Sequence, residues 1–242
     1  MIISYDTDVG RVRRENQDSV FAKQIDDNSA LLIVADGMGG HSGGKRASSS
    51  AIESIAEKIL AGYRPTLSDE EAEDLLRSSI ASANQSIYDD AFVNSELKGM
   101  GTTAVVALVT GSTLYTANVG DSRLYVYSNG VLNQITIDHS YVESLVSKGL
   151  ISKDEAKTHP QKNIITRAVG SDEIVDIDIF KNAVSKDDVI LVCSDGLYGT
   201  VSEDDIIEVL SGDIQDSAKR LVSIANENGG RDNISVIAVK IN

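Results

Sequence analysis

The chain has 242 residues, 41% of them hydrophobic and 24% charged, enough for one large domain or two small ones with a full core. Its 37 acidic residues outnumber its 22 basic ones and give a formal net charge of -15. That balance excludes a general nucleic-acid-binding face, and any phosphate site must draw on local positive charge from a metal or an arginine. The single cysteine, Cys193, rules out an intrachain disulfide and suits a reducing cytoplasm. The N-terminus has no apolar signal-peptide core. No apolar run approaches the ~20 residues of a membrane span, so no membrane insertion is expected.

In chain order, the alternating segment IISYDTD predicts a strand, and residues 18–25 and 30–35 predict two more around the turn DDNS. Over 45–60, Ala47, Ala51, Ile55 and Ile59 recur on one helical face. Ser68 followed by Glu71 is a capping-box signal for a second long helix towards Tyr88. Strands are expected at 103–109, 114–119, 124–127 and 131–135, with turn signals at Gly111-Ser112 and Asn129-Gly130. The stretch from His139 to about Gly170 is polar and weakly helical, with another capping box at Ser152 and Glu155. It reads as an excursion from the core. Strands at 176–180 and 189–193, helices at 206–210 and 218–225, and a strand at 234–241 complete the chain. Strands cluster between helices instead of alternating with them. That predicts an α+β domain of mainly antiparallel sheet covered by helices.

Five aspartates sit where the chain enters or leaves these apolar strands. Asp36 follows ALLIVA, Asp195 follows VILVCS and Asp121 follows LYTANVG. Asp232 precedes NISVIAV and Asp18 precedes VFAKQI. Each alone fits ordinary turn and cap chemistry. In antiparallel sheet, however, the start of one strand lies beside the end of its neighbour, so all of them can converge on one edge. Carboxylates gathered there repel each other unless protonated, paired or bound to a cation, and Mg²⁺ or Mn²⁺ suits oxygen ligands. Zinc does not fit, because His41, His139 and His159 lack its ligand spacing and Cys193 stands alone. DGMGGHSGG, at 36–44, predicts a glycine-rich loop whose backbone approaches a metal or an anion. Arg13 and Arg14, just upstream of Asp18, are candidates to clamp a phosphate.

Seven motifs then stand in order: RRENQDS at 13–19, ADGMGGHSGG at 35–44, GMGTTAVV at 99–106, ANVGDSRLY at 117–125, ITRAVG at 165–170, CSDGLYG at 193–199 and GGRDNISVI at 229–237. With them the chain resembles the compact bacterial form of the protein phosphatase 2C family of metal-dependent Ser/Thr phosphatases. The resemblance implies a four-layer α-β-β-α sandwich, two mainly antiparallel β-sheets flanked by helices, forming a single catalytic domain over 1–242 with a flap at about 139–170. It implies two to three Mn²⁺ or Mg²⁺ ions per chain. Asp36 would bridge two of them, Gly37 would ligate through its carbonyl, and Asp195 and Asp232 would be further ligands. Asp18 would join the metal shell directly or through water, and Asp121 with Asp195 would hold a third ion. Arg13 would bind the phosphate and Asn233 would support the ligands from behind.

The implied reaction is hydrolysis of phosphoserine and phosphothreonine by direct attack of a metal-bridging water, without a covalent enzyme intermediate. Phosphorylated proteins would be the partners, among them an opposing Ser/Thr protein kinase, with the enzyme a cytoplasmic monomer. Two departures stand out. Met38 occupies a position where many eukaryotic members carry a histidine proposed as general acid, which leaves His41 or a metal-bound water for that role. Gln17 replaces a glutamate seen in some relatives, so that one metal leans more on water. The competing readings are a non-catalytic phosphoprotein-binding relative and a small-phosphoester hydrolase. A nucleotide P-loop at Gly39–Lys45 fails because Arg46 stands where a Ser or Thr should bind Mg²⁺.

Overall fold

The run SALLIVADGM is apolar nearly throughout because both of its faces are buried. It forms β3 (Ser29–Met38), from which Leu31, Ile33 and Ala35 enter a helix-covered layer while Ala30, Leu32 and Val34 enter the layer between two sheets. The structure, a computed structural model, describes all 242 residues except the side chains of 40–42. The first sheet has the order β1 (Ile2–Asp8), β11 (Ile234–Lys240), β10 (Val189–Cys193), β7 (Arg123–Ser128) and β8 (Val131–Gln134). The second runs β2 (Asp18–Asp26), β3, β5 (Ala104–Thr110), β6 (Thr113–Val119) and β9 (Asp178–Ala183), with the short β4 (Gly101–Thr102) paired to the end of β3. Every pairing between these strands is antiparallel, as expected.

Three apolar layers hold the sandwich. Helices α1 (Gly40–Gly62) and α2 (Asp69–Val93) cover the second sheet, and Ile55, Ile59, Leu76 and Ile80 are fully buried beneath them. Each such side chain contributes about 1.5–3 kcal/mol of hydrophobic stabilisation. The sheets share Leu32, Val34, Val105, Leu124, Ile190 and Ile237, among others. Helices α6 (Glu203–Leu210) and α7 (Ser217–Glu227) cover the first sheet through Ile206, Val209, Leu221 and Val222. This is the predicted α-β-β-α sandwich. The predicted capping box starts α2: the Ser68 hydroxyl accepts from Glu71 N–H at 3.2 Å and the Glu71 carboxylate accepts from Ser68 N–H at 2.7 Å.

Some elements differ from expectation. The glycine-rich segment is not a loop. β3 continues through Asp36 to Met38, and after Gly39 (φ 115°) α1 begins at Gly40. The glycines serve close packing: a Cβ on Gly37 would lie 2.0 Å from the carbonyl oxygen of Gly44. Lys45, the would-be P-loop lysine, donates to the Asp18 carbonyl at 2.8 Å. The strand expected from Asp176 starts at Asp178, because the Ile177 side chain turns under α2 and its carbonyl accepts from Arg77 at 3.1 Å. The stretch 139–170 leaves and re-enters the core through a bridge of Ser140 with Ile165 and one of Thr102 with Val169. Between them lie α3 (Tyr141–Ser147) and α4 (Lys153–Thr158), the latter with the predicted capping box. A one-turn helix, α5 (Asp195–Tyr198), follows β10. Among the described residues no helix is long and apolar enough to cross a membrane.

Candidate metal centre

Strand pairing places the first two carboxylates. Asp18 opens β2 directly opposite Asp36 in the β2–β3 register, and opposed residues share a face. Asp195 begins α5, Asp121 lies two residues beyond β6, and Asp232 lies two residues before β11. Burial, and then the charges of Asp18, Asp195, Asp121 and Asp232, push the Asp36 carboxyl well above its ordinary value. Burial likewise raises Asp18 and Asp121 to about 6 and Asp195 to about 8. The five predicted aspartates are thus brought into one electrostatic cluster.

Two oxygens in that cluster, Oδ1 of Asp18 and Oδ1 of Asp195, are buried without a hydrogen-bond donor. A buried carboxylate oxygen left this way is costly unless a proton or a cation reaches it. The arginine at hand, Arg13, donates to Asp232 Oδ2 at 2.7 Å from an exposed position. Gly44 packs directly against the Gly37 carbonyl, since a Cβ there would lie 2.7 Å from the Gly37 oxygen. Among the described residues no three His, Cys, Asp or Glu side chains are already closed on one point. The fit to a hard divalent ion rests instead on the all-oxygen donor set and the two orphan oxygens.

Residues that the sequence pattern does not mark hold these aspartates in place. The Ser194 hydroxyl donates to Asp18 Oδ2 at 2.7 Å and accepts from Ser235 N–H at 3.0 Å, tying β10 and β11 of one sheet to β2 of the other. Thr103 Oγ1 accepts from Asp36 N–H at 2.9 Å and lies 2.7 Å from the Ser122 hydroxyl, beside Asp121. Asn233, a predicted supporting residue, is buried. Its Oδ1 accepts from Gln17 N–H at 2.8 Å, and its Nδ2 donates to the carbonyls of Val9 at 2.9 Å and Glu15 at 3.0 Å. It therefore pins the segment carrying Arg13 and Asp18. Arg14 is exposed and has no ion-pair partner among the described residues. The side chain of His41, the candidate acid, lies outside the described residues.

His139 holds the other flank. Gly120 N–H donates to His139 Nδ1 at 3.0 Å, and His139 N–H returns to the Gly120 carbonyl at 2.9 Å. With Nδ1 accepting, the ring proton sits on Nε2, which lies 3.2 Å from Asp178 Oδ2. Burial holds this imidazole below its ordinary pKa. His139→Ala should leave the buried Gly120 N–H without a partner, lower stability by about 1–3 kcal/mol and reduce the Mn²⁺ uptake of the protein. His139→Asn should recover part of both, because its Oδ1 can occupy the place of Nδ1. Thermal melts and metal titrations in which Asn behaves no better than Ala would refute this positioning role.

A sequence profile of the family described as Protein phosphatase 2C matches residues 11–235. The chain is 40% identical over 245 residues to the serine/threonine phosphatase stp of Listeria monocytogenes serovar 1/2a, covering 99% of this chain and 96% of that protein. Its fold is similar to the serine/threonine phosphatase Stp1 of Staphylococcus aureus, with a TM-score of 0.93 at 38% identity over 100% of this chain and 96% of that one. It is also similar to the catalytic domain of the serine/threonine protein phosphatase PstP solved with two manganese ions, with a TM-score of 0.85 at 33% identity over 99% and 98% of the chains. Profile, relatives and fold all span nearly the whole length, and the chain belongs to the protein phosphatase 2C family of metal-dependent serine/threonine phosphatases.

Proposed function

We propose that this chain removes phosphate from phosphoserine and phosphothreonine in proteins, using two to three Mn²⁺ or Mg²⁺ ions and water as the direct nucleophile. The observation that carries this reading is the cluster of five aspartates in which one oxygen each of Asp18 and Asp195 is buried without a donor and burial and the neighbouring charges push Asp36 upward. Asp18, Asp36, Asp195, Asp232 and the Gly37 carbonyl would hold two ions, and Asp121 with Asp195 a third. When bound, such ions supply Lewis-acid charge at the phosphoryl group and make water more acidic. The residues themselves bind, orient and exclude. Ser194 and Thr103 fix Asp18 and Asp36, and Asn233 fixes the approach of Arg13. Arg13 is exposed beside Asp232, and its planar fork would donate to phosphoryl oxygens. A protein nucleophile has little support: Cys193 is fully buried, with its thiol pushed up to about 12 by burial. The excursion carrying α3 and α4 would form a flap beside the substrate, and a Ser/Thr kinase acting on the same proteins would be the opposing enzyme.

Purified protein with Mn²⁺ should release phosphate from phosphothreonine peptides and stop on adding chelator. A chain that binds metal yet turns over no phosphopeptide would sink the proposal. Arg13→Ala should raise KM for a singly phosphorylated peptide roughly tenfold through loss of charge-assisted bonds. An increase no larger than that of Arg14→Ala would remove Arg13 from the site.

A further inference from the structure

A chain of net charge -15 has to admit a dianionic group on a partner protein. Beyond Arg13, two arginines lie beside the centre. Arg11 N–H donates to the Gly230 carbonyl at 2.7 Å, and a Cβ on Gly230 would lie 2.8 Å from Arg11 Cγ, so backbone and side-chain stem of Arg11 lie against that glycine. Arg231 follows Gly230 directly, and the next residue, Asp232, carries Arg13. Arg11 and Arg231 are both exposed, and among the described residues neither has an ion-pair partner. Arg11 packs on Gly230 and Arg231 on the neighbouring Gly229, so two unneutralised arginines flank one short segment of a very acidic chain. Their planar forks suit phosphate and carboxylate.

An extended peptide advances about 3.3 Å per residue, so a group two or three residues from the scissile phosphate travels roughly 7–10 Å. From Asp232, which pairs with Arg13, to Gly230 is two residues, at most about 7 Å of chain, and the long arginine side chains extend the reach beyond that. We propose that Arg11 and Arg231 form a docking shelf for a second anionic group on the substrate. That group is a further phosphate or a carboxylate, two or three residues from the residue being dephosphorylated. The proposal rests on the phosphoprotein phosphatase reading and names its preferred substrates.

The test compares Mn²⁺-loaded enzyme on three phosphothreonine peptides that differ at the position two residues away. One carries alanine, one glutamate and one a non-hydrolysable phosphonate analogue of phosphothreonine. Wild type should favour an anionic peptide roughly three- to tenfold in kcat/KM, through KM. The gain should shrink between about 0.05 and about 0.5 M salt. The double variant Arg11→Gln, Arg231→Gln should erase the gain while leaving the alanine peptide and p-nitrophenyl phosphate within about twofold of wild type. Lysine at both positions should keep part of it. A gain confined to the phosphonate marks a phosphate site, and a gain with both peptides marks a general anion shelf. No preference in wild type, or a preference that survives in the glutamine variant, overturns the shelf while leaving the phosphatase reading intact. Failure to hydrolyse any of the peptides overturns both.

Discussion

Asp36→Asn should lower kcat on phosphothreonine peptide at least about a thousandfold, equivalent to roughly 4 kcal/mol of lost transition-state stabilisation, and weaken divalent-metal binding. The reason lies in where Asp36 stands. It faces Asp18 across the β2–β3 register and feels the charge of Asp195, Asp121 and Asp232, so it is the carboxylate common to the whole cluster. Its backbone is held independently of its side chain, by Thr103 on both the N–H and the carbonyl and by the Thr102 hydroxyl at 2.9 Å. The substitution therefore removes charge without dislodging the strand. It should also raise the stability of the metal-free protein near pH 8, by about 1–3 kcal/mol, because one of several mutually repelling buried carboxylates is gone. A metal-free melt that rises while activity and metal affinity fall separates loss of a ligand from loss of the fold. Unchanged kinetics would exclude Asp36 from the site.

The second large effect is a pH dependence that metal reverses. Burial lifts Asp18 and Asp121 from an ordinary 3.8 to about 6, lifts Asp195 to about 8, and raises Asp36 as well. Between about pH 4 and pH 8 the metal-free folded chain therefore binds more protons than the unfolded one. Its stability falls as pH rises through that window. Asp121 alone, shifted from 3.8 to about 6, contributes on the order of 3 kcal/mol. Divalent ions compete with those protons, so binding releases them and grows tighter as pH rises. The rise in Tm on adding a fixed concentration of Mn²⁺ should be small near pH 5.5 and large near pH 8. A metal-free Tm that climbs from pH 6 to pH 8, or an Mn²⁺ gain that shrinks over the same range, would contradict the buried cluster.

Much of this arrangement is legible in the chain because local pattern and global fold agree. The run in β3 is apolar at consecutive positions because two layers bury it, and Asp36 stands out as the first charge within it. Ser68 and Glu71 announce α2 through a local hydrogen-bond pair that needs no tertiary partner. The glycines at 37–44 predict a loop where the chain passes from strand to helix, because composition does not separate glycine kept for approach to a ligand from glycine kept for packing backbone on backbone. Only the packing of Gly37 on Gly44 decides between them. The partners of the aspartates are hidden for a different reason. Ser194 meets Asp18 across 176 residues, and Asn233 meets Gln17 across 216. Serine and asparagine beside a turn look the same whether they cap it or cross to another sheet. His139 has no metal-ligand spacing to mark it, and its importance comes from Gly120, 19 residues away.

The most direct test of the central claim, that these carboxylates form a cation site, is calorimetric titration of the metal-free protein with Mn²⁺ at pH 7.5, alongside Asp36→Asn and Asp195→Asn. Wild type should bind at least two ions per chain with release of protons, and each variant should bind fewer ions or bind them more weakly. Absence of Mn²⁺ binding in wild type, or variants that titrate as wild type does, would contradict it.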